Sequence, residues 1–205
     1  MGQTGSNTMK LILASASPRR KELLTRLDIP FETVAPDFDE EILPDETSEM
    51  TCLRLAREKA QQIAAVYPDD LVIGADTIVV LDSLAMGKPK DLKDAHQMLQ
   101  ILSGRTHTVK TAVVLTVLNP GHHSEFVEKT KVTFYPLDET DIERYLALSP
   151  PLDKAGAYGI QDWSAVFVEK VHGCYHNVVG FPLAKFYRHL MQTGLGPALP
   201  RRNDL

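Results

Sequence analysis

Apolar and polar positions along the chain change period several times, and the changes predict alternating strands and helices. Leu11–Ala14 and Leu71–Ala75 are continuous apolar runs of strand length, as buried strands require. Phe31–Val34 predicts a second strand, and Arg19–Leu27 predicts a helix before it. Ser48–Val66 reads as a long helix stopped by Tyr67-Pro68. On it Cys52, Leu55, Ala56, Lys59 and Ile63 recur at helical spacing, while Arg54, Arg57, Glu58, Gln61 and Gln62 fall largely off that stripe. Ile78–Leu81 and Leu84–Met86 predict a hairpin around Asp82-Ser83, and Asp91 caps a helix to Leu102 that Gly104 ends. Thr106–Leu118 and Glu125–Leu137 are rich in β-branched residues and are joined by Asn119-Pro120-Gly121, which predicts an antiparallel pair. Asp138–Leu148 is helical, Pro150–Asp162 is irregular, and Val166–Val171 with Cys174–Val178 predicts a hairpin turning at His172-Gly173. A last helix runs from about Pro182 to Gln192. Strands alternating with helices, and hairpins between the βα units, argue for an α/β fold with a mixed sheet.

Composition narrows the function classes. A chain of 205 residues can bury a proper core. We expect a single domain over residues 10–194, with flexible tails at 1–9 and 195–205. A formal net charge of −5 argues against a broad nucleic-acid surface, so adjacent arginines read as a local site. Two cysteines, Cys52 and Cys174, make neither a disulfide framework nor a zinc site, and buried free thiols fit a reducing compartment. No apolar stretch is long enough to span a membrane. Met1-Gly2-Gln3-Thr4-Gly5-Ser6 matches the myristoylation pattern, yet a single acyl chain holds a membrane only marginally. The expectation is a cytoplasmic protein without stable membrane association.

Six short segments carry candidate chemistry. Ser15-Ala16-Ser17-Pro18-Arg19-Arg20 follows the first strand; Ser17 suits an N-cap, Pro18 the first helical position, and the arginines match phosphate. Asp76 in Gly74-Ala75-Asp76-Thr77 is expected at the carboxyl end of a buried strand. There it reads as a metal ligand, a general base on water, or a turn aspartate. Lys59 shares the apolar stripe of its helix, so it either snorkels or faces an anionic partner inside. Lys88 lies between Gly87 and Pro89, which suggests a positioned ammonium, although an ordinary turn lysine has the same surroundings. His107 has no partner at metal-ligand spacing and reads as structural. Asp153-Lys154-Ala155-Gly156-Ala157-Tyr158-Gly159-Ile160-Gln161 gathers two glycines, opposite charges, an aromatic and an amide able to read a base edge.

Together with Arg57-Glu58-Lys59-Ala60, Gly87-Lys88-Pro89, Leu102-Ser103-Gly104-Arg105-Thr106-His107 and Val179-Gly180-Phe181-Pro182-Leu183, these segments resemble the Maf family of nucleoside triphosphate pyrophosphatases in order and spacing. The resemblance implies an elongated mixed sheet with flanking helices and two lobes around a central cleft, similar to inosine triphosphate pyrophosphatases. It implies hydrolysis of a nucleoside triphosphate to monophosphate and pyrophosphate with a divalent cation, Mg²⁺ or Mn²⁺. A homodimer is also among its implications. Asp76 becomes the base, with Lys59 and Lys88 catalytic, and Asp76 with Glu40 the metal ligands. Ser15, Arg19, Arg20, Thr77, Asp153, Lys154 and Gln161 become substrate-binding residues. Ala157-Tyr158-Gly159-Ile160-Gln161 looks like the subgroup acting on dTTP and UTP. Two departures stand out: Phe181 replaces a more usual leucine, and the acidic loop aligns loosely, leaving Asp39 and Glu41 as alternatives to Glu40. The rival class is a nucleotide-binding regulator of cell division that does not turn its ligand over.

Overall fold

The computed structural model describes residues 9–37, 40–43, 45–196 and 199. The chain runs β1 (Leu11–Ala14), α1 (Pro18–Thr25), β2 (Phe31–Val34), α2 (Ser48–Ala64), β3 (Leu71–Leu81), β4 (Leu84–Met86), α3 (Leu92–Leu102), β5 (Thr106–Val117), β6 (His122–Phe134), α4 (Glu139–Leu148), β7 (Val168–His172), α5 (Tyr175–Val179) and α6 (Leu183–Gln192). The strands form one mixed sheet in the order β2-β1-β3-β5-β6-β7, with β4 added to β3. β1 is parallel to β2 and β3, and the remaining pairs are antiparallel. The expected mixed α/β fold is therefore present.

β3 organises the molecule. One edge pairs with β5 from Val72 to Val80. The other edge pairs with β1 only as far as Gly74 and with β4 only from Val79. Residues 75–78 thus have no strand partner on that edge, and the sheet is notched there. Leu71–Ala75 was expected to end before Asp76; instead the strand continues through Asp76 and Thr77 to Leu81. The antiparallel partner β5 carries it past the point where β1 stops.

The two sheet faces are covered differently. Even-numbered residues of β3, Val72, Ile78 and Val80, join Cys52, Ala56, Ala60, Ile63 and Ala64 of α2 in one cluster. The fit is tight at Gly74, where an added Cβ would come within 2.1 Å of the Ala56 carbonyl oxygen and 2.8 Å of Ala60 Cβ. On the opposite face Leu71, Ile73 and Ala75 pack with α1 and α6, whereas Val79 and Leu81 pack with α3 and α4. Thr77 falls between these two clusters, at the floor of a cleft. Beyond residue 194, Leu195 and Leu199 still pack on the α1–α6 cluster. Met9 packs on the same cluster and Gly196 is also described, while the remaining tail positions, including the Met1–Ser6 pattern, lie outside the described residues.

The expected strand Cys174–Val178 is instead the short helix α5, with Cys174 at its N-cap position. The His172-Gly173 turn suggested a returning strand, but tertiary hydrogen bonds override that pattern. Asn177 Nδ2 donates to the Val109 carbonyl and to Thr130 Oγ1, both at 3.0 Å, which pins the turn onto β5 and β6. Glycines with φ of 129° and 118°, Gly173 and Gly180, bound the segment and release it from the sheet direction. Among the described residues no helix is long and apolar enough to cross a membrane.

Candidate active site

The notch in β3 opens into a cleft of about 1020 Å³, at the large end for small-molecule sites. Ser15, Arg19, Arg20, Glu40, Lys59, Asp76, Thr77, Lys88, Asp153, Lys154 and Gln161 all line it. They come from six separate stretches of chain, so the sheet topology rather than local sequence brings them together.

The first wall is the β1–α1 turn. Ser17 caps α1 by accepting from the Arg20 amide, and Pro18 occupies the first turn. Buried Ser15 accepts from the Ser17 amide at 3.1 Å. The two arginines diverge. Arg19 reaches across to the opposite wall, where Nη1 donates to Asp153 Oδ2 at 2.5 Å and Nη2 to the Asp153 carbonyl at 3.0 Å. Arg20 turns inward: Nε donates to the Gly180 carbonyl and Nη2 to Thr77 Oγ1, both at 3.0 Å, with Ser15 Oγ at 3.4 Å from Nη1. Thr77 also lies 3.0 Å from Thr111 Oγ1.

The floor is ionic. Asp76 and Lys59 are only 6% and 4% exposed, and Lys59 Nζ lies 2.5 Å from Asp76 Oδ1. The inward-facing alternative for Lys59 is the one observed. The same ammonium is 2.8 Å from Glu40 Oε1, and Lys88 Nζ is 2.7 Å from Glu40 Oε2. Burial raises the Asp76 carboxyl above its usual range, against the pull of Lys59 and Arg20. Burial also pushes Glu40 upward, but attraction to Lys59 and hydrogen bonds from both lysines outweigh it and bring Glu40 down to about 2. Of the alternative acids, Asp39 lies outside the described residues, and the Glu41 carbonyl accepts from Arg54. Below the floor, Cys52 Sγ is 3.2 Å from both the Asp76 carbonyl and the Ala112 amide, residues opposed across β3 and β5. Burial first, and then the Asp76 charge, push this thiol up to about 12.

The loop wall is braced from behind. Lys154 Nζ lies 2.9 Å from Asp153 Oδ1 and 3.6 Å from Asp162 Oδ2. Ser164 Oγ accepts from the Gly159 amide at 3.0 Å and donates to the Gly159 carbonyl at 2.9 Å. Tyr158 OH meets His107 Nε2 at 2.8 Å in the core, so His107 is a strut, and burial alone brings it down to about 4. Gln161 is exposed on the cleft side of this braced turn. Sequence reasoning missed Asp162; its signal was the Asp-x-Ser spacing, in which Asp162 Oδ1 accepts from the Ser164 amide at 3.0 Å. It also missed the Gly180 carbonyl, a main-chain group that residue identity does not reveal.

Comparison with known proteins matches residues 10–193 to the family model described as Maf-like protein. A dTTP/UTP pyrophosphatase of Carboxydothermus hydrogenoformans is 46% identical over 91% of this chain and 100% of its own length. A dTTP/UTP pyrophosphatase of Bacillus cytotoxicus is 46% identical over 91% of this chain and 97% of its own. Among solved structures, the Staphylococcus aureus Ham1 protein is 16% identical, covers 61% of this chain and 71% of its own, and has a TM-score of 0.41.

Proposed function

This chain belongs to the Maf family, and we propose that it hydrolyses nucleoside triphosphates, dTTP and UTP foremost, to the monophosphate and pyrophosphate. The observation that carries this reading is the buried Asp76–Lys59 pair at 2.5 Å, at the floor of a cleft whose walls present Arg19 and Lys88. Near full-length relatives named dTTP/UTP pyrophosphatase support the same substrate class.

Arg19 and Lys88 hold the phosphate oxygens in this reading. Arg20 fixes Thr77 at the floor of the cleft and the Gly180 corner beside it. Asp76 orients a water against the α-phosphorus and accepts its proton as the new P–O bond forms. The bond to the bridging oxygen breaks, and pyrophosphate leaves. The raised Asp76 carboxyl makes it a stronger base than an ordinary carboxylate, and Lys59 holds it in place. Much of the acceleration would come from positioning and charge stabilisation. Gln161 offers one amide donor and one acceptor, the complement of the N–H and carbonyl edge of uracil and thymine.

Asp76 and Glu40 share one ammonium, so their oxygens already converge on a cation position. Among the described residues no group of three or more His, Cys, Asp and Glu could hold a metal. Two carboxylates suit a Mg²⁺ or Mn²⁺ that is completed by waters and substrate phosphates. Such an ion would neutralise charge on the phosphate oxygens. A cytoplasmic enzyme, with a homodimer as its assembly, completes the proposal.

The test is pyrophosphate release from canonical and modified nucleoside triphosphates, with and without Mg²⁺ or Mn²⁺. Fast release from dTTP and UTP, lost with chelator, is the expected result. Tight nucleotide binding without pyrophosphate release would instead establish the non-catalytic regulator.

A further inference from the structure

Most basic side chains at the cleft already face a carboxylate: Lys59 meets Asp76 and Glu40, Lys88 meets Glu40, and Lys154 meets Asp153 and Asp162. Arg19 differs because its partner comes from the opposite wall, 134 positions away in sequence. α1 belongs to one core cluster, and the 3-10 turn that follows Asp153 belongs to the other. This ion pair therefore bridges the mouth of the cleft between the two packed units.

We propose that Asp153 is a placeholder anion for Arg19: it occupies the guanidinium fork in the empty cleft, gives it up to a substrate phosphate, and takes it back when product leaves. The inference rests on the reading that Arg19 binds the triphosphate. Asp153 fills the Arg19 fork with one carboxylate oxygen and its own main-chain carbonyl, two oxygens that a single phosphate can supply in their place. Access permits the exchange, because the Asp153 side chain is 54% exposed. Lys154 Nζ, 2.9 Å from Asp153 Oδ1, offers the carboxylate a second cation when Arg19 leaves. Burial opposes ionisation of Asp153, but Arg19 and Lys154 together hold it down to about 2, so it competes as an anion at neutral pH. Arg20 could not be exchanged in this way. Three of its five N–H donors hold Gly180, Thr77 and Ser15, and releasing them would free Thr77 and the Gly180 corner.

A placeholder lowers apparent affinity by the fraction of molecules in which it is engaged. Asp153→Asn keeps the shape and removes the charge. It should lower KM for dTTP by about two- to fivefold, the range expected of a partly exposed ion pair. Asp153→Ser should move KM in the same direction, which guards against a folding artefact in one variant. In an Arg19→Ala background the Asp153→Asn change should leave KM where Arg19→Ala alone puts it. An unchanged or raised KM in Asp153→Asn would overturn the proposal, because Asp153 would then be neutral or would itself bind substrate. An equal fall in KM with and without Arg19 would also overturn it, since general relief of negative charge would explain both.

Calorimetric titration of the wild type and the same four variants with inorganic tripolyphosphate separates this inference from the enzymatic reading. Tighter tripolyphosphate binding in Asp153→Asn, without pyrophosphate release from any nucleotide by the wild type, would sink the activity and keep the placeholder. Normal turnover with unchanged tripolyphosphate affinity would do the reverse.

Discussion

The face of β3 that carries Gly74, Asp76 and Ile78 meets one helix, α2, through small side chains at close range. The face that carries Ala75, Thr77 and Val79 meets two separate clusters and leaves a gap between them. Both faces carry polar residues, but in different company. On the closed face, Asp76 and Lys59 are locked together and nearly buried, and they reach the cleft only through the notch in β3. On the divided face, Thr77 and the loop wall at Asp153 and Gln161 line open space. The lesson is a division of labour: the closed face fixes reactive charges, and the divided face admits and selects the ligand. Substitutions on the two faces should therefore fail in different ways.

Asp76→Asn should show the largest effect. A lost general base costs about 10²–10⁴ in kcat. Pyrophosphate release would fall by that factor while far-ultraviolet circular dichroism stays native, and near-normal turnover would remove Asp76 from the role of base. Lys59→Met should cost stability as well, since it strips a buried carboxylate of its cation, about 3 kcal/mol by urea unfolding. A loss of a few tenths would mean that water screens the pair. Gly74→Ala tests the closeness of the closed face directly. The Cβ has no room beside the Ala56 carbonyl, and overpacking should cost about 2 kcal/mol in thermal or urea unfolding.

His107 lies in the other half of the molecule and gives a pH signature. Its pKa in the fold is about 4, against 6.5 for the unperturbed side chain. The unfolded chain therefore takes up the proton first as pH falls, and stability is lost from about pH 6.5 down to 4. Between pH 7 and 5 the loss should be about 1–2 kcal/mol. His107→Gln should flatten that slope, whatever it does to absolute stability, and an unchanged slope would show that other groups set it. The smallest effect is expected of Gln161→Ala on the divided face. It should narrow the preference for dTTP and UTP over purine nucleotides by several-fold, with little change in unfolding; a nucleotide profile identical to wild type would remove Gln161 from selection.

The closed face was the more legible in the sequence. The stripe of Cys52, Leu55, Ala56, Lys59 and Ile63 put Lys59 on the apolar side of α2, with snorkelling as the alternative to an inward ammonium, because helical periodicity is a local signal. Its partner was not legible. Asp76 was expected where a strand ends, but it sits inside an 11-residue strand that changes neighbours there, and the neighbours are distant in sequence. The divided face was legible as motifs and not as geometry. Ser15–Arg20 and Asp153–Gln161 were recognised separately, yet nothing local says that Arg19 crosses to Asp153 while Arg20 turns inward. Successive helical residues point about 100° apart, so the two arginines face different ways, but the partners each one meets come from distant segments. The α5 segment was misread for a similar reason, since the Asn177 hydrogen bonds that hold it reach β5 and β6.

The thiol beneath the floor has a use of its own. Cys52 is fully buried, and its thiol stays protonated at neutral pH. An alkylating reagent can reach it only when α2 lifts from β3, and only the thiolate reacts. Its labelling rate is then a clock for the rarest openings of the closed face. A ligand that tightens the cleft should slow that clock, and so report its own arrival from the opposite side of the strand.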